Sequence, residues 1–225
     1  MASLINIYNN NYIIWQTKAY LVDYRDYFQQ TYLRPQLYSE YDLMDQDAII
    51  ASALDIIADE STLKNDMGEV LSIRSSNEDI QKILYNLFYD VLNIEFNLWS
   101  WVRQMSKYGD FFLKLEISEK FGVYNVIPYT AYHIERQEGY NLENPSEIRY
   151  RYSPDGLVNS NSGLYRVPGQ AFQDDQTGIY FENYEMAHFR LIGDVNYLPY
   201  GRSYIEPARK LFKQYTLMED AMLIH

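Results

Sequence analysis

YGRSYIEPARKLFKQYTLMEDAMLIH, residues 200–225, reads as a long amphipathic helix. Ser203 can serve as its N-cap, with Glu206 three residues on as the acidic half of a capping box. Pro207 favours Glu206 as the cap instead, because proline sits most easily at the first helical position, where its missing N–H is not needed. Ala208, Leu211, Phe212, Tyr215, Met218, Ala221 and Met222 recur at helical spacing and make one apolar stripe. No Gly, Asn or Pro closes the pattern before His225. A helix ending there leaves its stripe with little to bury it, so the chain is expected to be the front part of something longer.

Working outward, the start of this helix carries a compact basic cluster: Arg202, Arg209, Lys210 and Lys213. Arg209 and Lys213 are four apart and share a face. This is the lone compact basic cluster, and over the whole chain 31 acidic against 19 basic residues give a net charge of −12. Such a chain does not grip nucleic acid over a broad surface, because each phosphate contact needs a cation. It could still surround DNA without holding it. A solvated helix face is the plainer reading of the basic cluster.

The 225 residues fit one large domain or two small ones, and 47% apolar residues suffice for a core. The longest apolar runs are too short to span a bilayer. Met1-Ala2-Ser3-Leu4 lacks the basic start of a secretory signal. Cysteine is absent, which excludes disulfide and thiolate–metal frameworks and fits a reducing compartment. The 24 tyrosines suit interfaces, where a large ring with a polar tip is favoured; an A/T-rich gene would raise Tyr, Asn and Ile in the same way.

Residues 1–44 read as an N-terminal arm, aromatic and Asn-rich without a lasting period. A short helix over Tyr20 to Gln30 would be broken at Arg34-Pro35. Asp45 to Glu60 reads as a helix with Ile49, Ile50, Ala53, Leu54, Ile57 and Ala58 on one face and Asp45 and Asp47 at its positive end. Asn65 to Gly68 reads as a turn and Val70 to Arg74 as a short strand. Ser76 to Lys107 gives the strongest helical signal, capped by Ser76 or Asn77, jointed at Asn93 and closed by Gly109. Strand candidates follow at Phe111–Ile117, Tyr124–Ile127, Ala131–Gln137, Ile148–Tyr152, Ile179–Tyr180 and His188–Ile192. Turn signals at Asn144-Pro145, Pro154-Asp155-Gly156, Asn161-Ser162-Gly163 and Pro168-Gly169 separate them. The fold class is α+β: helical segments, an antiparallel β-rich region, then the start of a long helix.

Chemistry is sparse. His133, His188 and His225 form no zinc pattern. His133 and His188 lie in strand candidates near Glu135 and Glu185, so a small hydrolase using either is one alternative. Asp55, Asp59 and Glu60, and Glu219 with Asp220, look like polar helix faces. Tyr108-Gly109-Asp110 resembles a catalytic turn only superficially, since Gly109 has a structural reason to be there. No phosphate-binding loop or nucleophile elbow exists. No catalytic, cofactor or metal residue is assigned. A self-contained α+β protein-binding module, its last helix packed on its own sheet, is the other alternative.

Three segments in order resemble portal vertex proteins of myovirus-type tailed bacteriophages: DQDAIIASALDIIADEST (45–62), ILYNLFYDVLNIEFNLWSWVRQMSKYGDFFLKLEI (83–117) and YGRSYIEPARKLFKQYTLMEDAML (200–223). The resemblance implies a homo-dodecameric ring at one capsid vertex, with no enzyme activity and no cofactor. Double-stranded DNA would pass through it non-specifically during packaging and ejection. The terminase large subunit would dock on it, followed by neck or head-completion proteins. The major capsid protein would surround it, with the Tyr-rich arm suited to that contact. Assembly in the bacterial host cytoplasm and a place in the virion follow. On this map 45–200 is the first part of the wing and 201–225 the start of the stem. The clip, second stem helix, tunnel loop and crown would lie beyond His225, which stands where the family carries Tyr before Arg. Leu211, Phe212, Tyr215, Met218 and Met222 become candidate oligomer-interface residues, and Arg202, Arg209, Lys210 and Lys213 candidate contacts for DNA or motor. An acidic ring would repel DNA only within the screening length of roughly 10 Å, lubricating transport rather than blocking it.

Overall fold

The structure, a computed structural model, describes residues 34–138, 140, 141, 143, 144, 146–154, 178–193 and 197–224. Residues 1–33 of the expected arm, and with them the Tyr20–Gln30 helix, lie outside these. Its last part, 34–44, is a helix (α1) that includes Arg34 and Pro35. Tyr38, Tyr41 and Met44 fall at helical spacing along α1 and enter the core fully buried.

Helix α2, Ala48–Ser61, starts after Asp47 and not at Asp45, which lies in the preceding turn. Asp47 Oδ1 accepts from Ile49 N at 2.9 Å and Ile50 N at 3.2 Å, a cap worth about 1 kcal/mol. Only Leu54 and Ala58 of its apolar residues are buried, while Ile49 stays exposed. The Asn65–Gly68 turn forms, with Gly68 N donating to Asn65 O at 2.8 Å.

The expected strand at Val70–Arg74 does not exist. Its carbonyls are taken by side chains of the next helix: Tyr89 Oη donates to Leu71 O and Gln81 Nε2 to Ile73 O. That helix, α3 (Glu78–Tyr85), is capped by Asn77, which accepts from Asp79 N at 2.8 Å. It widens into a π-helical stretch at Asn86–Val91. The joint falls at Asn93, with φ 44°, a left-handed conformation that Asn tolerates better than most residues. Helix α4, Ile94–Tyr108, then runs to Gly109, whose φ of 84° and 2.7 Å bond to Met105 O form the expected C-terminal stop.

Charge pairs tie α4 to α2, to the α1–α2 turn and to α1. Arg103 donates to Asp55 at 2.6 Å and to Asp45 at 2.8 Å; Lys107 reaches Asp45 at 2.8 Å and Asp42 at 2.7 Å. Trp99 Nε1 donates to Asp59 at 2.6 Å. Of the acids that read as a polar helix face, Asp55 and Asp59 thus bind α4.

The β region forms two three-stranded antiparallel sheets where one was expected. Strands β1 (Asp110–Ser118), β2 (Gly122–Tyr129) and β6 (Met186–Arg190) give the order β2-β1-β6. Strands β3 (Ile134–Glu138), β4 (Ile148–Tyr152) and β5 (Ile179–Glu182) give β3-β4-β5. A short 3-10 turn at Asn183–Glu185, closed by a Glu182/Glu185 capping box, carries the chain from one sheet to the other. Phe112 meets Tyr150 edge-on at 6.2 Å, and Tyr129 lies 4.8 Å from Tyr152, so aromatic pairs join the sheets. Each such pair adds about 1 kcal/mol beyond the area it buries. Pro145, the 155–177 segment and its turn signals lie outside the described residues.

Candidate assembly surface

Residues 197–208 return the chain from β6 to the α4–β1 junction and root the last helix there. Gly201 N donates to Asp110 Oδ1 at 2.9 Å, Arg202 N to Leu191 O at 2.9 Å and Tyr204 N to Ser106 O at 3.1 Å. Ser203 Oγ accepts from Ile205 N at 3.1 Å and donates to Ser106 O at 3.3 Å.

Asp110, completely buried at the first position of β1, is the centre of this root. Besides Gly201 N it accepts from Arg34 Nη2 at 2.5 Å and His188 Nε2 at 2.8 Å. Burial alone would raise its carboxyl; the Arg34 guanidinium, then His188 and the Gly201 N–H, outweigh burial and hold it below the usual carboxylate value. Burial pushes His188 below its ordinary value, against the pull of Asp110. Arg34 also lies over the Tyr200 ring, 3.5 Å from its centroid.

The expected capping box does not form. Glu206 accepts from Tyr41 Oη and pairs with Arg209 at 2.9 Å instead of closing on Ser203. The helix starts as a 3-10 turn, Glu206–Ala208, which accommodates Pro207, and continues as α5, Arg209–Ile224. Glu40 of α1 pairs with Arg209 at 2.9 Å and Lys213 at 2.6 Å. Burial works against the Glu40 carboxylate, but the two cations keep its pKa lowered.

The expected site residues therefore divide. Arg209 and Lys213 are held together by Glu40. Lys210 is exposed, and Arg202 sits in the rooting loop with its guanidinium 5.6 Å from the Tyr197 centroid. Of the stripe, Phe212 is partly buried against the core, while Leu211, Tyr215, Met218 and Met222 are between 51% and 77% exposed. Their 4-3-4 spacing is that of a helix packing against another helix. Leu217, outside the expected set, is exposed as well.

Of the two described histidines, His133 is partly buried and His188 is sealed from solvent. His133 Nδ1 meets Ser153 O at 2.8 Å, beside the second sheet. The carboxylate of His188 is Asp110, not Glu185, and the pair's side chains are 2% and 0% exposed. Among the described residues no group of His, Asp and Glu is arranged to hold a metal, and no helix is long and apolar enough to cross a membrane.

No curated protein matches the chain. Residues 34–225, from the buried Arg34 through α5, match the family described as "Bacteriophage T4-like portal protein (Gp20)". That span takes in both sheets, the rooting loop and the exposed stripe, and it carries the same order of segments as the resemblance. The chain belongs to the T4-like bacteriophage portal protein family.

Proposed function

We propose that this chain supplies the first part of the wing and the start of the stem of a homo-dodecameric portal at one capsid vertex. Membership of the family makes it a structural component of the phage virion. In the proposed ring, α5 helices pack side by side through Leu211, Tyr215, Met218 and Met222. Double-stranded DNA passes the acidic surface during packaging and ejection. The terminase large subunit, then neck or head-completion proteins, dock on the ring, and the major capsid protein surrounds it. Assembly takes place in the host cytoplasm.

The observation that carries this reading is the exposed stripe on a helix whose root is fixed. An isolated exposed apolar residue needs no explanation, but four in register on one helix mark an interaction face. A self-contained binding module predicts this helix packed on its own sheet, and of the five candidate interface residues Phe212 alone packs on the core cluster.

The test is negative-stain imaging of the protein with any sequence that follows His225 included. Rings with a central channel are expected, and Met218→Asp should abolish them while circular dichroism of the sheets is retained. Normal rings from that variant would remove the stripe from the interface. Compact monomers from the unaltered protein would overturn the reading.

A further inference from the structure

We infer that His188 is an acid-sensitive latch holding the root of α5 against the rest of the fold. The geometry places its imidazole where only the neutral form fits. Nε2 donates to Asp110 Oδ1 at 2.8 Å, while Nδ1 is buried with no hydrogen-bond partner among the described residues. The ring is stacked on Phe112 at 4.3 Å and edged by Tyr150 at 6.0 Å and Tyr200 at 6.1 Å.

The charged and titratable groups facing it from the surrounding elements decide the sign. From β1, Asp110 favours the cation. From α1, Arg34 opposes it and already neutralises Asp110 at 2.5 Å. From β3, Arg136 opposes it as well, itself paired with Glu138 at 2.6 Å. From β4 and the rooting loop come the Tyr150 and Tyr200 phenols, both pushed up by burial and so uncharged. A proton on Nδ1 would put a second cation beside Arg34 and a donor where nothing accepts.

Opening the latch relieves both. It frees Asp110 to turn from Gly201 N, and the segment 200–204 that sets the direction of α5 loses its central acceptor. His188 has a folded value below its ordinary 6.5, so the open form binds more protons than the closed. Closure is therefore complete above that ordinary value and is lost as pH falls below it. One proton taken up on opening changes the opening equilibrium by at most about tenfold per pH unit.

This inference uses the proposed ring only to give the latch a purpose, namely a fixed angle for α5, and its test needs no ring. Amide hydrogen exchange of the unaltered chain is followed from about pH 7.5 to about pH 5, corrected for the intrinsic rate. Protection at Gly201 and Tyr204 should fall by up to about tenfold per unit while that at Tyr150 holds. His188→Gln, which keeps a donor for Asp110 but does not titrate, should flatten the profile. Equal loss in that variant, or full protection down to the lower pH, overturns the latch. Should the variant fail to fold, NMR titration of the His188 imidazole decides: its protonation must coincide with loss of Gly201 protection, and a ring that protonates without that loss ends the idea. Failure to form rings with the latch intact would instead count against the assembly reading alone.

Discussion

Gly109 and Gly201 leave no space for a side chain between them: a Cβ on Gly201 would lie 1.9 Å from the Gly109 carbonyl oxygen. The contact brings the end of α4 against the loop that roots α5. It explains why a glycine follows the aromatic Tyr200 just where the chain must pass a buried carboxylate. Gly201→Ala should therefore cost about 3 kcal/mol, the upper end of the penalty for overpacking. Gly193→Ala, where an added Cβ meets nothing and φ is ordinary, serves as control and should be near neutral. Urea denaturation of both variants checks the difference; equal midpoints would show that the loop shifts freely.

Arg34 and Asp110 should respond asymmetrically. Asp110→Asn leaves a buried guanidinium without its countercharge, which costs about 3–5 kcal/mol. Adding Arg34→Met to that variant removes the stranded charge and should restore a large part of the loss. The double-mutant cycle measured by denaturation reports the coupling; strictly additive losses would mean that solvent reaches the pair.

The legible parts of this fold are local ones. Asn77 caps through backbone groups a few residues away, and Asn93 and Gly109 act through their own left-handed conformations, so identity and position suffice to place these helix ends. Val70–Arg74 misleads because β-forming residues describe an extended chain equally well when helix side chains, not a strand, take its carbonyls. The split into two sheets is hidden for another reason: β6 follows β5 at once yet pairs with β1, a choice made by tertiary packing. The Arg34–Asp110–His188 cluster joins residues 76 and 78 positions apart, and no local spacing announces it. One signal was available. An acid directly before the apolar run Phe111-Phe112-Leu113 must be buried with the strand and so requires a cation from elsewhere. For the α5 stripe the sequence gives the face, and the structure adds that Phe212 belongs to the core.

Acid should loosen the hold of α4 on the α1–α2 turn at lower pH than it opens the latch. Burial raises the Asp45 carboxyl, but Arg103 and Lys107 outweigh it, so its folded pKa lies below the ordinary 3.8. A depressed carboxylate stabilises the fold above its unfolded value and loses that contribution as pH falls through the folded one. Asp110 behaves in the same way. Stability from urea titrations should fall gently below about pH 6.5, where unfolding takes up the His188 proton, and decline steeply below about pH 4, where the paired carboxylates protonate. Asp45→Asn should lower the plateau and make the decline shallower. An unchanged slope would place the acid sensitivity elsewhere.

Arg209 and Lys213 have two possible jobs, and Glu40 separates them. Both cations reach its carboxylate, at 2.9 and 2.6 Å, so they tie α1 to the first turns of α5. If that tie is their role, Arg209→Glu with Lys213→Glu sets like charges against Glu40 and Glu206 and loosens the root. The loss in stability should be modest, since partly exposed pairs are each worth at most about 1 kcal/mol. Adding Glu40→Lys restores opposite charges across the contact and should recover the lost stability. Packaging in an infected host then decides whether DNA or motor also uses these residues. Recovery of packaging together with stability in the triple variant assigns them to the root. Recovered stability with packaging still impaired assigns them a contact outside the subunit, because the swap repairs the internal pair while leaving the outward charge reversed.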